Sequence, residues 1–231
     1  FSDTSVCETV ATTESLKAAT NDIFSELPCE RELDPISERA ILYFFGRALD
    51  TKHKYSERHS QRVAYYSMIL GIALRLPSDR LRKLEYAAYL HDIGKLGIPT
   101  ALLDKPGPLT TEEFLFIQKH ALISYSIVNS LRAFSYLAEI VRADQEHFDG
   151  SGYPLGLKGQ DIPLESRIIF VSDAFDAMIS DRAYRKAMPV SAALAELKRC
   201  AGKDFDPQIV EVACQMFNGF NNQFIVETFS Q

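Results

Sequence analysis

The 231-residue chain has no surplus of positive charge, no patterned cysteines and no long apolar run, and each lack removes a class of function. A net charge of -6 argues against a protein that coats nucleic acid, DNA included, or that binds membranes through a basic surface. It leaves an anionic substrate open, because a metal site brings its own positive charge. Cys7, Cys29, Cys200 and Cys214 show no CxxC spacing, so they suggest neither a zinc motif nor a disulfide framework. They read as ordinary thiols of a reducing, cytoplasmic compartment. No apolar run reaches the ~18 residues that a membrane helix needs. The opening FSDTSVCETV lacks the charged-then-apolar pattern of a signal peptide and lacks a methionine, so the sequence is expected to begin inside a longer protein. Alternating strand patterns are also scarce.

What remains is helix. With 46% hydrophobic residues the chain can bury one sizeable core. Residues 1–35 are polar and irregular and read as a linker or the remnant of an upstream regulatory region, or else as a loose helix on the main domain. From Ser37 onward Ile41, Phe44, Phe45 and Leu49 mark one apolar face, and Val63, Tyr66, Leu70 and Leu74 mark a second. Ser78 or Asp79 is expected to cap a third helix running through Leu81, Leu84, Ala88 and His91, with Gly94 as its stop. Thr110 followed by Thr111-Glu112-Glu113 predicts the start of a helix carrying Phe114, Ile117 and His120. Further helices are expected over Leu131–Val141, Ile168–Ile179 and Val190–Cys200, with a long loop from Phe148 to Pro163. The sum is an all-α domain of roughly seven to nine helices over residues 36–220, followed by a tail at 221–231.

Two segments carry chemistry: His91-Asp92 in YLHDIGKLGIP, and the loop EHFDGSGYP at residues 146–154. Adjacent histidine and aspartate at a helix end can offer a nitrogen and an oxygen to one metal ion. A glycine-rich loop can bring its backbone close to a ligand. His59, His91 and His120 fall on successive helices, and Asp173 lies on the apolar segment IIFVSDAFDAM, where a buried carboxylate needs a partner. His53 and His147 sit in polar stretches without a partner at ligand spacing and read as ordinary residues.

The segments HSQRVAYYSMILG, AAYLHDIGKLGIPTALLDKPGPLTTEEF, EHFDGSGYPLGLKGQDIPLESRIIFVSDAFDAMISDRAYRKAM and GKDFDP together resemble the HD-GYP family, a branch of the HD phosphohydrolases. The resemblance spans about Ser37 to Phe217. It implies an HD-type helical bundle with a long GYP loop, and a metal-dependent phosphodiesterase that hydrolyses cyclic di-GMP or a related cyclic dinucleotide to pGpG or GMP. By the same resemblance His59, His91, Asp92 and Asp173 would hold a first metal. Asp92 would bridge to a second, with His120 as a further ligand. The cofactor would be one or two divalent ions per chain, iron or manganese first, with zinc, nickel or magnesium as alternatives.

The family's adjacent histidine pair is replaced by Asp144-Gln145, and Tyr55 stands where members with a third metal carry a glutamate. Asp144 could supply an oxygen to the second metal, whereas the Gln145 carbonyl is a weak donor. Lys95 and Asp92 are the expected catalytic groups, with Lys95 stabilising phosphate charge through a metal-activated hydroxide mechanism. Asp149, Gly152, Tyr153 and Pro154 would shape the nucleotide pocket, with Arg182 and Arg185 on the second phosphate. For Arg182 a salt bridge to Asp181 or Asp176 is an equal alternative. The resemblance further implies an upstream sensory or receiver domain, a diguanylate cyclase partner and a homodimer. Two other readings stay open: a degenerate relative that binds a cyclic dinucleotide or a partner protein without turnover, and a one-metal hydrolase of a different phosphate ester.

Overall fold

Apolar residues recurring every three or four positions wind the described residues into nine α-helices and three short 3₁₀ turns, with no strand among them. The computed structural model describes residues 34–50, 58–181 and 186–220. The chain divides into two units, Phe1–Asp34 and Pro35–Gln231, and the second is the one described below. His53, Tyr55, Arg182, Arg185 and the tail at 221–231 lie outside the described residues.

The helices are α1 (Pro35–Asp50), α2 (His59–Ala73), α3 (Ser78–Leu90), α4 (Thr100–Leu103), α5 (Thr111–Ser130), α6 (Ala138–Arg142), α7 (Leu164–Ile179), α8 (Val190–Arg199) and α9 (Pro207–Phe217). The 3₁₀ turns are Ile93–Gly97, Ser135–Leu137 and Gly159–Asp161. Helix α2 is central, packing on α3, α7 and α9, while α5 packs on the Ile93–Gly97 turn and on α6. No helix among the described residues is long and apolar enough to cross a membrane.

The core gathers where α2, α7 and α9 meet. Phe175 and Phe217 stack with ring centroids 4.5 Å apart, and Tyr66 sits edge-on to both at 5.2 and 5.5 Å. Edge-to-face and offset stacking are the favoured aromatic geometries, so this trio fixes the three helices relative to one another. Helix α9 starts at Pro207, preceded by Asp206, whose carboxylate caps the Gln208 amide. The other Asp206 oxygen accepts from the buried Arg167 of α7.

Several boundaries differ from the sequence expectation. Neither Ser78 nor Asp79 caps α3, because the N-cap is Pro77 in extended conformation, and Ser78 is already helical. The expected helix over Leu131–Val141 is broken: Leu131 turns out of α5 into extended backbone, and helix resumes only at Ala138. Phe44 belongs to no buried face. It is 68% exposed, while Leu42 and Leu49 supply the buried contacts of α1. The Thr110 expectation holds in full, since its hydroxyl accepts from the Glu113 amide and the Glu113 carboxylate accepts from the Thr110 amide.

Candidate metal centre

Three histidines are brought together by three different local devices. His91 is the first residue past α3, still helical at φ -52° and ψ -39°, and its Nδ1–H donates to the Ala88 carbonyl at 2.8 Å. His120 repeats the arrangement on α5, donating from Nδ1 to the Ile117 carbonyl at 2.8 Å. A carbonyl can only accept, so both rings carry their proton on Nδ1 and leave the Nε2 lone pair free to bind a cation. Both Nε2 atoms are buried without a hydrogen-bond partner. His59 opens α2 and uses a carboxylate instead: Nδ1 lies 2.8 Å from Asp176 Oδ2, and Arg62 holds Asp176 through Nε at 2.6 Å and Nη2 at 3.0 Å.

Gly94 explains how α3 and α5 come close enough. A Cβ at Gly94 would lie 2.0 Å from the His120 carbonyl oxygen and 2.5 Å from the Ser124 amide. The Gly94 amide donates to Ser124 Oγ at 2.7 Å, and that hydroxyl donates to the His91 carbonyl at 3.2 Å. Helix α3 has ended before Gly94, so this glycine serves close backbone approach rather than the helix stop expected of it.

The carboxylates close the cluster. His59 Nε2 lies 3.3 Å from Asp173 Oδ1 and 3.7 Å from Asp92 Oδ2. Asp92 Oδ2 is 3.5 Å from His91 Nε2, and Asp92 Oδ1 is 3.8 Å from His120 Nε2. Asp144 is fully buried and neither of its oxygens has a hydrogen-bond partner. Single donor atoms of His59, His91 and Asp173 lie within 4.8 Å of one another, and so do those of His91, Asp92 and Asp144. An orphaned buried polar atom costs about 1–3 kcal/mol, and here several are gathered around one point. A divalent cation satisfies imidazole lone pairs and carboxylate oxygens together, so this donor set fits one.

Charge follows the same layout. Burial opposes ionisation of Asp92, yet Lys95, then His91, His120 and His59, hold its carboxyl well below the usual range. Lys95 reaches Asp92 Oδ2 at 2.5 Å. Asp173 and Asp176 are likewise held low against burial, by His59 and, for Asp176, by Arg62 as well. His59 is pushed up to about 9, burial being outweighed by Asp173 and Asp176. Asp144 moves the other way. Burial, then the charges of Asp92 and Asp173, hold it protonated well above the usual carboxylate range, against the opposing charge of Lys95.

The GYP loop is anchored at both ends. Phe148 and Asp149 amides donate to the carbonyls of Asp204 and Lys203, which gives the GKDFDP segment its role. The Glu146 carboxylate accepts from the amides of Leu155 at 2.6 Å and Leu157 at 2.9 Å. Tyr153 comes to the cluster, its ring edge-on to His120 at 6.2 Å between centroids. The carboxylate of Asp149 is engaged within its own loop, accepting from the Ser151 amide at 2.8 Å. Gly152 and Pro154 flank Tyr153 and are partly buried. His147 stands apart from the cluster, stacked on Phe170 and 3.3 Å from Asp204. Asp181 pairs with Lys186, and Asp176 is committed to Arg62 and His59.

Sequence reasoning missed Asp176 as the residue that orients His59, together with its Arg62 partner. One signal was present: Asp176 follows Asp173 by three residues and so shares its helix face.

The pattern of an HD domain matches residues 45–209. The chain belongs to the HD-domain family. This HD domain is 40% identical over 176 residues to the 3'3'-cGAMP-specific phosphodiesterase 3 of Vibrio cholerae, covering 76% of this chain and 38% of the relative. It is 39% identical over 173 residues to a cyclic di-GMP phosphodiesterase of Thermotoga maritima, covering 74% and 47% respectively. The chain thus spans less than half the length of these curated relatives. A solved HDG"Y"P protein from Bdellovibrio bacteriovorus superposes with a TM-score of 0.62 at 17% identity, over 94% of this chain and 75% of that one, which bears on the fold alone. The family expectation raised by the motifs is borne out, as is the all-α HD bundle.

Proposed function

We propose that this HD domain is a divalent-metal-dependent phosphodiesterase that opens a cyclic dinucleotide, cyclic di-GMP first and 3'3'-cGAMP as the close alternative, giving pGpG or GMP. The observation that carries the reading is the buried group of unpartnered donors from His91, Asp92, His120 and Asp144 beside the His59–Asp173 pair. The names of the relatives supply the substrate class.

His59, His91, Asp92 and Asp173 would hold one cation; Asp92, His120 and Asp144 would hold a second, iron or manganese being the ions of choice. Bound cations polarise a phosphoryl oxygen and lower the pKa of water. The protein's own residues do the rest. Asp176 and Arg62 keep the His59 ring oriented, and the Ala88 and Ile117 carbonyls do so for His91 and His120. Lys95, resting on Asp92 at 28% side-chain exposure, places an ammonium where charge grows on the phosphate. Tyr153 and the loop from Asp149 to Pro154 wall the pocket, with Arg182 and Arg185 assigned to the second phosphate. Residues 36–220 form the catalytic unit on this reading, with 1–35 as a joining segment. Asp144 offers oxygens in donor range where the family's histidine is lost, which favours turnover over a purely binding role.

The test is hydrolysis of cyclic di-GMP and of 3'3'-cGAMP by protein purified without oxygen and loaded with ferrous iron or manganese. Linear product from at least one substrate is expected. Metal-loaded protein that cleaves neither would overturn the proposal.

A further inference from the structure

Gln145 occupies a position at which the motif pattern has a metal-ligating histidine, yet the structure gives its side chain other work. Its Oε1 accepts the Tyr153 hydroxyl proton at 3.2 Å, and its backbone carbonyl accepts the Tyr153 amide at 3.1 Å. The loop lies so close that a Cβ on Gly152 would sit 2.6 Å from the Gln145 carbonyl oxygen and 2.1 Å from the His147 amide nitrogen. Tyr153, clamped at both ends of the residue, stands edge-on to His120 and also to the half-exposed Phe114, at 6.2 and 6.4 Å between centroids and 84° in each case. Asp144, by contrast, joins the donor group of His91 and Asp92.

We infer that Gln145 is a positioning residue that locks the Tyr153 ring as the wall of the nucleotide pocket, and that it donates nothing to a metal. On the His120 side the protein's donors are then Asp92, His120 and Asp144 alone. This rests on the proposed phosphodiesterase reading for its substrate and stands without it for the metal. Three physical points carry it. An amide oxygen is a weak donor for a transition metal next to carboxylate or imidazole. The Gln145 oxygen already satisfies a phenol that would otherwise be left unpaired beside buried carboxylates. A tyrosine ring held at a fixed angle next to an accessible phenylalanine presents a surface suited to a planar base.

The experiment uses the full chain with Gln145→Ala, Tyr153→Phe, the double variant and Asp144→Asn. Manganese per chain is measured by calorimetry and elemental analysis, KM and kcat with cyclic di-GMP, and folding by urea titration. Gln145→Ala should keep the wild-type manganese count while KM rises about five- to tenfold, the loss expected for one hydrogen bond. Tyr153→Phe should do the same, and the double variant should add nothing further in KM or in unfolding midpoint, since both changes break one bond. Asp144→Asn should lower the manganese count. Loss of a manganese ion from Gln145→Ala, additive single effects, or an unchanged count in Asp144→Asn would each overturn the inference. Should the wild type cleave no cyclic di-GMP, the substrate reading fails, and the manganese counts and the unfolding cycle still decide whether Gln145 is a ligand or a clamp.

Discussion

The two sides of the donor cluster are built differently. On the His59 side every charge has an answer within the protein: Asp173 and Asp176 flank the imidazole, and Arg62 backs Asp176. On the His120 side neither Nε2 of the ring nor either Asp144 oxygen has a hydrogen-bond partner. The His59 ring is thus held by the protein's own charges, whereas Nε2 of His91, Nε2 of His120 and the Asp144 carboxylate are left without protein partners. Asp92 lies close to both His59 and His120, and Gly94 lets the backbone after α3 approach α5, so the contrast can be attacked at defined points.

Asp92→Ala should have the largest effect, because it removes the oxygen donors common to both sides. Hydrolysis should fall to background, and elemental analysis should find less than one metal per chain. A variant that retains both ions would break the picture of a shared bridging carboxylate.

Acidification comes next. Asp173 and Asp176 push His59 up to about 9 against its burial, and Asp144 is held protonated by burial and its acidic neighbours. Both must lose protons to bind a cation, so metal affinity should rise with pH toward about 9 and fall about tenfold per unit below it for each proton displaced. Calorimetry in buffers of different ionisation enthalpy should show proton release on binding. For the metal-free fold the sign is opposite: the raised His59 pKa contributes stability fully present below about 6.5, its value when unfolded, and lost as pH rises through about 9.

Gly94→Ala drives a methyl into the His120 carbonyl. A loss of about 1–3 kcal/mol in urea unfolding is expected, as for overpacking elsewhere, with lower metal content at neutral pH. Asp176→Asn should weaken metal binding on the His59 side by about 10–100-fold, the usual cost of losing such a supporting carboxylate, and leave the His120 side unchanged. Thr110→Ala is the smallest. It removes the cap of the helix that carries His120 and should cost about 1 kcal/mol in thermal unfolding.

What could be read from the sequence divides along the same line as local and long-range structure. The Thr110 capping box lies within four residues and was legible, as were His59, His91, Asp92, His120 and Asp173 through their motifs. The Arg62–Asp176–His59 chain and the Gln145–Tyr153 clamp were not. The first joins helices more than a hundred residues apart. The second depends on a loop conformation that its glycines permit but do not specify. The break at Leu131 was also hidden, since the apolar periodicity of Leu131–Val141 satisfies a helix and a turn followed by a helix equally well.

The most direct measurement is anomalous diffraction at the manganese edge from crystals of the full chain grown with manganese. Two peaks are expected, one bounded by His59, His91, Asp92 and Asp173 and the other by Asp92, His120 and Asp144, with Gln145 turned to Tyr153. A single peak on the His59 side, or a second one coordinated by Gln145, would contradict a cluster whose His120 half is completed by a cation held through Asp144.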